Sequence, residues 1–558
     1  MTAAIDYRSR LGIDFDPSPY QAGIFDWITT GKATVDGQTV TPWSVVVDAV
    51  AGSGKTTTSV HAIRLARGSV LAVAFNREIA DVLAERLEGT GAKASTAHAH
   101  GFGALRRHCY RTLKGAVEIV VDQAKYADML ARAGEAIIER ADRGRDVTLC
   151  GEPVSGEQVA AIRDDGWPVG ECVELCTLAR LFLLDFDSHD FERGLDLLAS
   201  RYDVDVDALL WPLVVLAVRN ALVKGCTQPR SGVWPVDYTD MIWAPTVLGL
   251  RPKQYDLVVV DECQDISTAA RRLLIASVAR GGRMMWVGDA SQAINGFAGA
   301  DSDSFDAIIR ETDAAVLPLS VCYRCPTSHL ARAREWRPDI EARTGAPVGV
   351  IRRMERIDYV DEAKRGDLVV CRRTAPLLGL CFELIAAGTS ATVRGRADMA
   401  NGLVKIIKRA SKGLRGDAWA RSFDDRLRAV EESEAAKIRK RSRDDATAGA
   451  AIEALGDRVE CVRVVVRSSG ATTSAEAIAA VERIFADKSA AVVLSTVHRA
   501  KGLEADRVVI LEHDRLISPR AVQRWQIEQE HNLCYVAYTR AKREIIEIPA
   551  PPRTRGAA

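Results

Sequence analysis

Gly52-Ser53-Gly54-Lys55-Thr56 is the stretch of this chain best suited to hold an oxygen-rich anion. Glycines let a backbone wrap tightly, so that several N–H groups point at phosphate oxygens. The helical pattern that follows the loop would add the positive end of its dipole. In such a cradle the Lys55 ammonium pairs with β- and γ-phosphates, and the Thr56 hydroxyl coordinates Mg2+. The general pattern asks for glycine where this chain has Ala49. A second signal is Asp261-Glu262 within YDLVVVDECQD. Asp261 suits a Mg2+ ligand, and Glu262 suits a general base that orients water toward a γ-phosphate. An acidic pair that merely caps the next helix is the bland alternative, and the upstream phosphate loop weighs against it.

These residues need elements to position them. SVVVDAV (44–50) runs directly into the glycine-rich loop, and LVVVD (257–261) delivers the acidic pair at its C-terminal end. Similar unbroken apolar runs are VLAVAF (70–75), RMMWVG (283–288), DLVVC (367–371), AVVLSTV (491–497) and RVVILE (507–512). Runs of this kind read as strands buried on both faces, and helical patterns separate most of them. The fold class expected is α/β with mostly parallel sheets. Residues 106–235 and 396–485 differ, being helical in pattern with few strand signals. The second of these is charge-rich in its first half, with 14 Lys/Arg against 9 Asp/Glu between Arg396 and Asp445. That excess either grips duplex or forms a solvated helical face.

The whole composition bounds the function. At about 150 residues per domain, 558 residues suggest three to four domains. The balance of 47% hydrophobic and 27% charged residues excludes a mainly disordered chain, a collagen-like chain and a small disulfide scaffold. Lys plus Arg equals Asp plus Glu at 75 each, so a nucleic-acid partner would need local basic patches. No apolar run is long enough to span a membrane, and the N-terminus lacks the apolar core of a secretory signal. The twelve cysteines include one CxxC, Cys322-Tyr-Arg-Cys325, without a second pair at zinc-finger spacing. Reduced thiols in a cytoplasmic protein is the reading taken. PAPPRTRGAA at the C-terminus reads as a short disordered tail.

At this point the motifs resemble the superfamily 1 helicases of the UvrD/PcrA/Rep type. AVAGSGKT resembles that family's phosphate loop, where alanine is common at the first position. Tyr20-Gln21 resembles its glutamine motif. VLAVAFNREIADVLAERL, STAHAHGFGAL, VVVDECQD, VGDASQAINGFAGAD, LSVCYRCPTSHL, LSTVHRAKGLEADRVVIL and NLCYVAYTRAK follow in the family's order, from about Pro19 to about Lys542. The AFN of the second of these and the compact size look closer to phage-encoded members and the F-box DNA helicase branch. No F-box fits the roughly 20 residues before Gln21.

The resemblance implies two RecA-like P-loop NTPase domains with parallel sheets, each carrying a mainly helical insertion. The segments would be 1–105 and 236–310 for the first domain with 106–235 inserted, then 311–395 and 486–558 for the second with 396–485 inserted. ATP and Mg2+ are implied. Gly52, Ser53, Gly54, Lys55, Thr56 and Thr57 would hold the phosphates, and Gln21, Tyr323 and Glu504 the adenine and ribose. Gln292, Arg324 and Arg540 would contact the γ-phosphate, the two arginines from the second domain across the cleft. Phe75, Thr96, His98, Phe297, Thr496 and His498 would line a single-stranded DNA path. A metal site built on His98, His100 and His108 is set aside by the match around them. Asn295 and Ala298 depart from the family pattern, which commonly has an aromatic and an arginine there.

The function implied is an ATP-dependent DNA helicase that translocates 3′→5′ on single strands and works at single-strand/duplex junctions. It would act in the cytoplasm of a bacterial or phage-infected cell. Two alternatives stand beside it: the motor half of a helicase–nuclease, and a binding protein that uses ATP as a switch. A nuclease would have to come from a partner, since only about 18 residues follow Arg540. Phosphate contacts and stacking serve DNA and RNA alike, so DNA rests on the resemblance.

Overall fold

The computed structural model describes residues 6–294 apart from 203, 205 and 230, then 304–394, 397–441 apart from 415, 445–486, 491–519, 521 and 524–552. Two six-stranded sheets, every neighbouring pair parallel, carry the architecture. The chain is thus α/β, consistent with two RecA-like domains. The first sheet uses β1 (Ser44–Ala49), β2 (Val70–Ala74), β3 (Lys93–Thr96), β4 (Tyr255–Val260), β5 (Val278–Gly288) and β6 (Ala315–Leu319), in the order β6-β1-β5-β4-β2-β3. The second uses β7 (Val350–Arg353), β8 (Leu368–Cys371), β9 (Ala391–Val393), β10 (Val492–Thr496), β11 (Ala505–Leu511) and β12 (Ala541–Ile548), in the order β7-β12-β11-β8-β10-β9.

Each apolar run picked out in the sequence forms one of these strands. Val45, Val46, Val258 and Met285 are at most 2% exposed because helices cover both faces of the sheet. The order matters for chemistry. β1, β5 and β4 are side by side, so the loops after Ala49, Gly288 and Val260 emerge at one edge. In open α/β sheets that C-terminal edge is where ligands bind.

Helices between β3 and β4, chiefly Lys125–Asp142, Val169–Leu181 and Trp211–Cys226, form a core of their own around Leu175, Phe191 and Val214. This stretch also holds the parallel pair Val117–Val121 and Gly232–Val236. A buried polar knot ties these helices to the helix Tyr238–Val247. Arg180 reaches Asp237 and Asp240, and Lys125 and Tyr126 also bond Asp240. A second helical group, Ala397–Ala410, Asp417–Arg441, Asp445–Ser469 and Ser474–Ala486, packs with Thr374–Ala386 around Leu378, Leu427 and Val462. Within the basic stretch, Arg409 pairs with Glu434 and Arg428 with Asp424, so part of its charge is neutralised on neighbouring turns and helices. No helix among the described residues is long and apolar enough to cross a membrane. Residues 553–558 of the expected tail lie outside the described residues.

Candidate nucleotide cleft and nucleic-acid edge

The glycine-rich loop leaves β1 and ends where the helix Lys55–Leu65 begins. Gly52 has φ of +69°, a conformation that L side chains avoid, and a Cβ there would sit 2.6 Å from the Cβ of Arg324. The loop is therefore clamped against the second half of the chain. The Tyr323 N–H donates to the Gly52 carbonyl at 2.8 Å, and the Cys322 thiol lies beside the same glycine.

The Thr56 hydroxyl donates to Asp261 Oδ2 at 3.2 Å, bringing the loop and the acidic strand end together. Burial, with Glu262 adjacent, pushes Asp261 up to about 6 despite Lys55. Burial opposes ionisation of Glu262 too, but Lys55, Lys501 and the Gln264 amide outweigh it and hold that carboxyl below its ordinary value. Glu262 has φ of +53°, uncommon for a non-glycine residue, which the bond from Gln264 to its carboxylate helps to hold. The pair thus divides into one carboxylate whose charge burial disfavours and one whose charge its neighbours favour.

The donor set fits a hard divalent cation. A hydroxyl and a carboxylate in contact are its usual protein ligands, and Mg2+ takes its remaining ligands from water and phosphate. Among the described residues no group of three or more His, Cys, Asp or Glu side chains is placed to hold a metal by itself. Ser53 Oγ is buried without a hydrogen-bond partner, as a phosphate-facing hydroxyl would be.

Two arginines face this edge from the other sheet's side. Arg540 is 2% exposed, and its hydrogen bonds go to neutral oxygens of Val536, Leu503 and Thr539. Burial, aided by Arg324, lowers it to about 10. A buried guanidinium in that state is stabilised by an arriving anion. Arg324 donates to the Thr539 carbonyl and pairs with Glu504 at 2.7 Å. Glu504 also pairs with Lys542 at 2.5 Å, so the expected ribose ligand is engaged in ion pairs here. Gln292 is 5% exposed and bonded to Asp289. Tyr323 is 42% exposed, which leaves its ring open to stack. Thr57 is exposed. Gln21 is 3% exposed and spends its amide on the Ser18 cap and on Thr58, so it is tied to the helix Lys55–Leu65 rather than presented outward.

The residues expected along nucleic acid fall on the same edges. Phe75 follows β2 and is 55% exposed, unlike a core phenylalanine. Ala74 pairs in register with Thr96, which ends β3 and caps the next helix through its hydroxyl to the Ala99 N–H. His98 lies exposed in the first turn of that helix. Thr496 ends β10 in the second sheet, and His498 follows it. Burial and Arg372 lower His498 to about 3, so its ring is neutral. Phe297, with Asn295 and Ala298, lies outside the described residues.

Asp289, Lys501, Asn532 and Tyr535 lie inside the sequence motifs, and nothing in the motifs gives them a role. The structure puts all four on the boundary between the two halves. Lys501 reaches Asp265 and the Gln292 carbonyl, and Asn532 donates to the Ala293 carbonyl at 3.1 Å. Arg337, outside every residue singled out, bonds Asp48 at 2.8 Å from across the cleft. Polar side chains inside the motifs are their signal in the sequence, and it does not reveal a partner hundreds of residues away.

Two family models match the chain. One, described as AAA domain, covers residues 32–298. The other, described as UvrD-like helicase C-terminal domain, covers residues 425–548, from within the helix Asp417–Arg441 to the end of β12. No curated protein matches the chain.

Proposed function

The chain belongs to the UvrD-like superfamily 1 helicases, DNA helicases that use ATP, and we propose that it moves 3′→5′ along single-stranded DNA, hydrolysing ATP between its two six-stranded halves. The observation that carries the reading is the meeting of Lys55, Thr56, Asp261 and Glu262 on one sheet edge with the buried, anion-seeking Arg540 opposite.

In this reading the loop from Gly52 to Thr57 binds the phosphates, with Lys55 on the β- and γ-groups. Tyr323 stacks on the base, and Gln21 and Glu504 lie toward base and ribose. Thr56 and Asp261 would hold Mg2+, which would supply charge neutralisation for the bound phosphates. Glu262 is the base, already ionised, that orients the attacking water and takes its proton. Arg324 and Arg540 stabilise charge on the transferring group, and Gln292 senses its presence. Since the arginines and the loop come from different halves, hydrolysis depends on closure, and closure is a movement along DNA. Phe75, Thr96, His98, Thr496 and His498, together with Phe297, line the strand, at a single-strand/duplex junction. Residues 106–235 and 396–485 are the insertions.

The test is unwinding of a duplex with one single-stranded tail. The reading predicts ATP-dependent separation from a 3′ tail and none from a 5′ tail. Separation only from a 5′ tail contradicts the polarity, and separation from neither contradicts the motor.

A further inference from the structure

Tyr535 is completely buried, yet its hydroxyl lies between the two halves rather than at a surface. It belongs to the helix Arg524–Tyr538, five positions before Arg540. Its ring packs in a small core made jointly by Val50 and Ala51 of the phosphate loop and by Cys322, Cys325 and Leu330 of the other half. The Ala51 N–H donates to the hydroxyl at 2.7 Å, and the hydroxyl donates to Asp289 Oδ2 at 3.2 Å. A phenol has one proton and can accept besides, so both bonds form at once. Burial, with Asp289 beside it, pushes the phenol well above its ordinary value and keeps that proton in place.

Both ends of this bridge lead to the γ-phosphate residues. Asp289 accepts from the Gln292 amide, and its own N–H donates to Gln264, whose amide donates to Glu262. On the other side the Tyr535 carbonyl accepts from the Thr539 N–H and hydroxyl. Thr539 in turn receives Arg324 on its carbonyl and Arg540 on its hydroxyl. The neighbouring N–H, of Val50, is bonded to the Leu319 carbonyl within the first half. Among the described residues, the Tyr535 hydroxyl is thus where the loop backbone, the Gln292 and Glu262 support and the helix leading into Arg540 meet.

We infer that Tyr535 is a positioning residue that couples the phosphate loop to the seating of Arg324 and Arg540, through its hydroxyl bonds to Ala51 and Asp289. This rests on the ATP-driven reading above. Tyr535 touches no phosphate in this role. Its ring supplies packing that phenylalanine would also supply, whereas the hydroxyl supplies the coupling. Other bonds across the boundary, from Arg337 to Asp48 and from Asn532 to Ala293, persist without it. Removing the hydroxyl therefore leaves the halves in contact, with the Tyr323 N–H still on the Gly52 carbonyl, but cuts the tie from the Ala51 N–H and Asp289 to the helix that precedes Arg540.

The experiment is steady-state ATP hydrolysis by the full chain with saturating single-stranded DNA, comparing wild type, Tyr535→Phe, Asp289→Asn and the double variant. Affinity for a non-hydrolysable ATP analogue is measured alongside. Expected is a fall of about tenfold in kcat for Tyr535→Phe, with KM and analogue affinity within about twofold of wild type. The double variant should be no worse than its worse single parent, since both cut one linkage. If Tyr535→Phe does not fold, Asp289→Asn alone must show the same split between kcat and KM. A kcat within twofold of wild type, or a loss confined to KM or analogue affinity, overturns the inference while leaving the motor intact. A wild-type chain that hydrolyses no ATP with DNA overturns the motor reading, and this inference with it.

Discussion

Single side chains carry sharply different electrostatic duties here. Arg540 is buried without a carboxylate in its hydrogen bonds, and burial has lowered it to about 10, so its worth is realised when a phosphate arrives. Arg540→Ala should lower kcat by about 10³-fold, the scale of a transition-state arginine, with ATP affinity changed far less. Rapid-quench hydrolysis beside analogue binding checks this, and equal loss in both would contradict it. His100 has a structural duty. Its Nε2 lies 2.8 Å from the Ser277 hydroxyl, which itself donates to the Leu273 carbonyl, so Nε2 carries the proton and the ring is neutral. Burial, with Lys93, Arg107 and Lys253 nearby, lowers it to about 4. Between its ordinary 6.5 and that value the unfolded chain binds a proton the folded chain refuses. Stability is therefore full above pH 6.5 and falls as pH drops through that window, by about 2 kcal/mol at pH 5. Urea midpoints at pH 7 and pH 5 measure this. His100→Gln should flatten the difference, and an unchanged pH slope in that variant would count against the assignment.

Elements place those side chains through close approaches that the sequence shows unevenly. The helix Ala97–Arg111 crosses Tyr238–Val247 at Gly101, where a Cβ would come within 2.0 Å of the Met241 carbonyl oxygen. Gly101→Ala must push the first helix away, at a cost of about 1–3 kcal/mol, and carries Thr96 and His98 with it. A lowered melting temperature together with weaker single-stranded DNA binding is expected. An unchanged melting temperature would show that the crossing relaxes freely. The strands β1, β2, β4, β5, β8, β10 and β11 were legible as apolar runs because helices cover both their faces. β3, reading KAST, and β9, reading ATV, are short strands at sheet edges, and β7 is an edge strand with exposed Val350, so none shows a buried run. β12 is interior but carries Lys542, Arg543 and Glu544 near its start, which hides it. The helix Ala97–Arg111 runs through position 105, and Ser304–Thr312 through 310, since nothing in their pattern breaks where the sequence-drawn segments end. At the site, Lys55, Thr56, Asp261 and Glu262 were legible because each sits in a local strand–loop context. Tyr535, Asp289 and Arg337 act through partners far along the chain, and local spacing holds no record of those.

At the scale of the whole molecule, the two halves exchange polar contacts across their boundary. Arg337 with Asp48, Lys501 with Asp265, and Tyr20 with Glu341 each join residues from opposite halves. With a net formal charge of zero, no global field draws DNA in, so local groups must hold it. His498, lowered to about 3, is neutral at working pH, so in the proposed DNA path it would offer a hydrogen bond or a stacking face rather than charge. Protonation of His498 should therefore leave DNA affinity unchanged between pH 6 and pH 8. A titration of a labelled oligonucleotide across that range, on wild type and His498→Gln, tests it. A pH dependence that vanishes in the variant would place a titrating charge there after all.

The measurement that bears most directly on the motor is the steady-state ATPase rate without nucleic acid, with single-stranded DNA and with single-stranded RNA, beside Lys55→Ala. The account predicts a rate stimulated strongly by DNA and abolished in the variant, because the loop of one half and the arginines of the other must close together on nucleotide while the strand is bound. A rate from folded wild-type protein that DNA does not raise, or that survives Lys55→Ala, would contradict it.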